Sequence, residues 1–141
     1  MHKELRERLA KEYRYAATKM QGSPNPMQKL FYFSVLFGEA SRVLNYEWDR
    51  DVALIHLVTQ QVYNQLMASG QSPLISSLPI EWPKVYEKLT QTTVDIATHM
   101  EKKEGKDNRE ELCEILGRLA EITYAVSGNG SYLYEKGLIK F

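Results

Sequence analysis

The stretch Asn25 to Asn45 reads Asn-Pro-Met-Gln-Lys-Leu-Phe-Tyr-Phe-Ser-Val-Leu-Phe-Gly-Glu-Ala-Ser-Arg-Val-Leu-Asn. Leu30, Phe33, Phe37, Ala40 and Leu44 recur at spacings of three and four, which places them on one face of an α-helix. Phe31, Val35, Leu36 and Val43 extend apolar surface well beyond that stripe. A helix apolar on most sides must be covered on most sides. The expectation is a central helix with other helices around it. Gly38 costs about 1 kcal/mol against alanine in such a helix, and a closely packed neighbour is the expected reason for it.

The same periodicity runs outward in both directions. His2 to Met20 forms a first helix with its stripe at Leu5, Leu9, Tyr13, Ala16 and Met20, stopped by Gly22 and Pro24. Asn25 caps the second helix, with Pro26 at its first position and Gln28 where a capping-box partner sits. Asp49 caps a third helix, Arg50 to Ala68, whose stripe is Val52, Ile55, Thr59, Val62 and Leu66. The short link between them makes the second and third helices antiparallel neighbours. A fourth helix starts at Pro83 and buries Val85, Leu89, Thr92, Ile96 and Met100. Asp107 to Glu110 reads as a capping box for a fifth, with Leu112, Ile115, Leu116, Leu119, Ile122 and Val126 inside.

Two segments break the helical pattern. Gln71 to Glu81 is a long connection whose Leu74, Ile75, Leu78, Ile80 and Trp82 are expected to lie across the core. The tail after Ser127-Gly128-Asn129-Gly130 carries Tyr132, Leu133, Tyr134, Leu138, Ile139 and Phe141, too apolar to stand free in water. The expected fold is all-α: one domain over residues 1–141, an antiparallel bundle of about five helices with one long crossing connection and a short apolar C-terminal tail.

Composition narrows the function classes. The chain has 141 residues, enough to bury about two thirds of its unfolded surface without a staple. Lys and Arg number 18 and Asp and Glu 18. The basic excess of a protein that holds a phosphate backbone is therefore missing. The charges of the first helix alternate (Glu4 with Arg8, Glu7 with Lys11) and read as i,i+4 pairs on a solvated face. Cys113 is the single cysteine, which rules out an intramolecular disulfide and a cysteine-ligated zinc site. It lies beside a buried stripe and reads as an inert thiol. No apolar run suits a signal peptide or a membrane span, so the expected location is the cytoplasm.

Several residue groups are candidates for chemistry. Arg50-Asp51 with His56, a histidine six positions after an arginine, resembles the short motif of HEPN-type helical domains. Many of those are metal-independent ribonucleases that work as dimers. The resemblance implies that Arg50 and His56 act on the scissile phosphate and the 2′-hydroxyl at a two-fold seam. On a regular helix the two lie about 120° apart, so convergence needs Arg50 in a frayed first turn. The alternative is an Arg50 paired with a surface carboxylate and a His56 satisfied at the core edge. Asp95 and His99, four apart on the fourth helix, could share a cation, with Glu39 and Glu47 as further ligands. Yet bundle metal sites use Glu-x-x-His pairs, and none occurs. Glu110, Glu111, Glu114 and Glu121 form an acidic run. Glu111 and Glu114 resemble the first half of the magnesium motif of helical nucleotide pyrophosphohydrolases, whose second half is missing. Gly128-Asn129-Gly130 lacks the lysine and the strand of a P-loop.

The reading is accordingly a helical protein that acts by association, as a homodimer or as a subunit or adaptor of a larger assembly. No catalytic residue, cofactor or metal is expected. The expected contact surfaces are the tail and the crossing segment Leu74 to Trp82. The nine tyrosines suit core edges and interfaces. Nucleic acid enters as a partner only under the ribonuclease alternative, on Arg50, Asp51 and His56. A third reading is a small-molecule pocket among Phe33, Phe37, Tyr63 and Tyr124.

Overall fold

The computed structural model describes residues 2–71, 80–102, 106–123 and 135. Five helices are present among them: α1 (Lys3–Gly22), α2 (Pro26–Leu44), α3 (Arg50–Gln71), α4 (Trp82–Glu101) and α5 (Lys106–Ala120). They close into a ring in the order α2, α1, α4, α5, α3 and back to α2, with α2 touching α4 across the middle. The all-α bundle is thus as expected. The tail apart from Glu135, Tyr124, Val126, the Gly128–Gly130 turn and the crossing segment from Ser72 to Pro79 lie outside the described residues. At the ends of that crossing, Ile80 is buried and Trp82 packs half-buried against the core.

The caps form where the side chains allow them. Asn25 Oδ1 accepts the Met27 N–H at 2.8 Å, with Pro26 next in line, and Asp49 Oδ1 accepts the Val52 N–H at 3.0 Å. Helix α5 begins at Lys106, and the side chain of Asp107, the expected cap, lies outside what the structure describes. Two C-termini are closed by basic side chains from neighbouring helices. Lys29 Nζ donates to the Met20 carbonyl at 2.6 Å. Arg6 Nε and Nη2 both donate to the Lys102 carbonyl, at 3.2 and 3.1 Å. Both places lie at the carbonyl end of a helix, the negative end of its dipole.

Stripes with a single apolar face pack as the spacing predicts. All five expected residues of α3 and all five of α4 are buried. Helix α2 differs. Its inner face is Leu30, Phe33, Leu36, Ala40 and Val43, a stripe turned slightly from the expected one. Phe37 and Leu44 are only half-buried, and Phe31 is 66% exposed. It is therefore not enclosed: one side faces inward, and the opposite side is surface. Gly38 is on that surface, and nothing lies within 4 Å of where its Cβ would sit. The expected close neighbour is not there.

Registers are held by polar pairs at helical intervals. Lys88 Nζ meets Glu121 Oε2 at 2.6 Å, Asp95 Oδ2 meets Arg118 Nη2 at 3.6 Å, and Lys102 Nζ meets Glu111 Oε1 at 2.8 Å. These three pairs run antiparallel along α4 and α5, seven residues apart on α4, hence on one face. Arg14 binds Thr98 and Glu101, tying α1 to α4. In the core, the fully buried Tyr13 donates its hydroxyl to the Leu36 carbonyl at 2.9 Å. Burial, with the Glu39 charge adding to it, pushes this phenol far up, so it stays a neutral donor.

Candidate functional site

The residues singled out from sequence end up in three different places. Arg50 opens α3 and is exposed; His56 is half-buried one and a half turns on. Among the described residues the two share no hydrogen bond or ion pair, and Arg50 lacks the surface carboxylate expected for it. Asp95 accepts from Gln91 at 3.1 Å and pairs with Arg118, so it faces α5 rather than joining His99 around a cation. Glu111 and Glu121 are engaged by lysines of α4, while Glu110 and Glu114 point to solvent. Cys113 is exposed, not buried. Among the described residues no three His, Cys, Asp or Glu side chains are arranged to hold a metal ion. No helix among them is long and apolar enough to cross a membrane. Phe33 is in the core, and Phe37 stands edge-on to Tyr63 with ring centroids 5.2 Å apart. These rings pack between α2 and α3; Tyr124, the fourth residue of the expected pocket, lies outside the described residues.

One end of the bundle gathers polar groups from four helices. His99 is 1% exposed, and its Nδ1 has no hydrogen-bond partner. The nearest anion, Glu111 Oε2, is 3.8 Å away, too far for a hydrogen bond. Burial lowers the histidine pKa. Glu111 and Asp51 pull it back up, and Arg6 pushes it down. Glu111 in turn is held below the usual carboxylate range, chiefly by its hydrogen bond to Lys102. A cleft of about 550 Å³ opens nearby between α1 and α4, beside Lys3, Arg6, Lys11, Arg14 and Lys102. Most of these cations already have partners: Glu7 for Lys3, the Lys102 carbonyl for Arg6, Glu101 for Arg14 and Glu111 for Lys102. This end of the bundle works as a tie between helices.

The third place is the outer layer of α2 and α3, where charge is sparse. From Val52 to Ile80 the sequence contains no Asp, Glu, Lys or Arg. The solvent side of α3 beyond its first turn is Leu57, 60% exposed, among glutamines, asparagine and alanine. The solvent side of α2 carries Met27, Phe31, Gly38, Arg42 and Asn45, with Arg42 paired to Glu39, and the turn adds Trp48, 75% exposed. Helices α1 and α5 carry a charge at nearly every second position. A helix face turned to water normally does the same. Exposed aromatic and Met side chains with few charges are the composition of an interface core. Apolar periodicity does not find this layer, because periodicity finds buried faces. The run without charge from Val52 to Ile80 is the sequence signal that marks it.

Comparison with protein-family models, with curated proteins and with solved structures finds no match for this chain.

Proposed function

We propose that this protein acts by association, with the outer layer of α2 and α3 as its working surface. The observation that carries this reading is the pairing of Phe31 and Leu57, large apolar side chains exposed on adjacent helices, with a stretch of α3 that has no charged residue to keep water on it. Burying such side chains stabilises a complex by about 25 cal/mol per Å² of apolar surface, before the costs of association.

The test is native mass spectrometry of the full chain in extract and when pure, beside a Phe31→Glu/Leu57→Glu double variant. Both sites are at the surface, so the fold tolerates the change. The parent is expected in an assembly larger than one chain and the double variant outside it. A parent that is a single chain under both conditions overturns the reading. The ribonuclease alternative on Arg50 and His56 has a separate test: equal RNA cleavage by the parent and by His56→Ala disposes of it.

A further inference from the structure

We infer that the cleft between α1 and α4 binds a small polyanion, a molecule whose adjacent phosphate groups meet the cations of its walls. This goes beyond the association reading above and uses a different part of the surface.

The chain as a whole is neutral, with 18 Lys and Arg against 18 Asp and Glu. The cleft is not. Among the described residues its walls hold the cations Lys3, Arg6, Lys11, Arg14 and Lys102 against the carboxylates Glu7 and Glu101. The surplus is three positive charges. It is still two when Glu111, which pairs with Lys102 from α5, is counted with them. Neighbouring cations on one helix face lie within a Debye length of about 8–10 Å and repel one another. An anion seated among them relieves that repulsion.

The pairing within α1 leaves this surplus within reach of a ligand. The alternating charges predict Glu7 with Lys11, but the Glu7 carboxylate turns to Lys3 instead, at 3.9 Å. Lys11 is exposed and has neither hydrogen bond nor ion pair among the described residues. Arg14 is held in place by Glu101 and Thr98, which take its Nε and Nη2 donors. A guanidinium has five N–H donors, so Nη1 keeps two on a side chain already fixed and 41% exposed. A fixed planar fork suits phosphate oxygens.

Size and lining select the class of ligand. The cleft measures about 550 Å³, inside the range of small-molecule sites, roughly 300–1,000 Å³. Ala10 and Met100, both buried, form an apolar floor for the uncharged part of a ligand. No aromatic ring lines it among the described residues. Single-stranded nucleic acid is held by stacking its bases on such rings, so a compact phosphorylated molecule fits better than a strand.

The test is titration calorimetry of the full chain with inorganic triphosphate and with adenosine triphosphate, without magnesium, at low and high salt. The expected result is one ligand per chain with a Kd below about 1 mM at low salt, weakened as added salt screens the exposed charges. Lys11→Glu is expected to weaken both probes about tenfold or more, with unchanged helical circular dichroism. Lys84→Glu changes an exposed cation at the opposite end of α4 and is expected to bind like the parent. Failure of both probes to bind saturably overturns the inference. Equal weakening by Lys11→Glu and Lys84→Glu also overturns it, because the attraction then belongs to the whole surface and not to the cleft. An oligouridylate that binds more tightly than either probe, and loses that binding in Lys11→Glu, overturns the assignment to a small molecule in favour of a strand.

Discussion

The ring of Phe37 stands at 61° to the ring of Tyr63, with centroids 5.2 Å apart, and this contact makes α2 and α3 one layer. Edge-to-face pairs of this kind contribute about 0.5–1.5 kcal/mol beyond the area they bury. It sits on the half-buried flank of the two helices, between the core stripe and the surface.

Tyr63→Ala removes that contact and part of the covering of Phe37. The expected cost is about 2 kcal/mol, below the full-burial range because the ring is only half-buried. Urea unfolding measures it as a lower midpoint with an unchanged slope. Tyr63→Phe keeps the ring and is expected within about 0.5 kcal/mol of the parent.

Arg6 is the fork that closes α4. Arg6→Ala leaves the Lys102 carbonyl without two charge-assisted donors, each of a class that contributes roughly 1.5–3 kcal/mol. The expected loss is about 2–3 kcal/mol, with faster amide exchange in the last turn of α4. Arg6→Lys is expected to recover less than half, because a point ammonium does not reproduce the two-pronged geometry.

His99 makes stability fall on acidification. Its folded pKa lies below the ordinary 6.5, with burial as the main cause. Above 6.5 neither state binds the proton, and the stability is fully present. Below it the unfolded chain takes up a proton that the folded chain refuses, so stability falls as pH drops toward the folded value. The charged groups around the imidazole are Arg6 on α1, Asp51 on α3 and Glu111 on α5. Glu111 has a lowered pKa of its own, and its share is lost at lower pH, in the same direction. In His99→Gln the decline just below pH 6.5 is expected to flatten while the carboxylate decline remains. Denaturant midpoints across the pH range measure both.

Gly117 lies on the exposed side of α5 with nothing within 4 Å of a built Cβ. Gly117→Ala meets no clash and removes freedom from the unfolded chain. It is expected to stabilise by about 0.5–1 kcal/mol, read as a higher melting temperature.

The buried stripes of α3 and α4 are legible in the sequence to the residue, because each helix has one apolar face and strict three-four spacing, although α3 runs on to Gln71 and α4 starts at Trp82. Helix α2 is legible as a helix but not in its rotation. With Phe31, Val35, Leu36, Phe37 and Val43 all apolar, the periodicity does not choose a face. Leu36 and Val43 go inside while Phe31 goes out. The tie at the end of the bundle is invisible to any window, since Arg6 and Lys102 are 96 residues apart. Asp51, His99 and Glu111 are each noticeable in the sequence, but in three separate motifs. Folding sets them around one imidazole and leaves their expected partners, Arg50, Asp95 and Glu114, elsewhere. The exposed face of α3 is written in the sequence as an absence of charge from Val52 onward, a signal that only burial and exposure turn into a surface.

The most direct measurement is amide hydrogen exchange on the pure full chain and on the assembly isolated from extract. Slower exchange is expected in α2 and α3 around Phe31 and Leu57 within the assembly. Unchanged exchange there, or slowing confined to α1, α4 or α5, would contradict a working surface on α2 and α3.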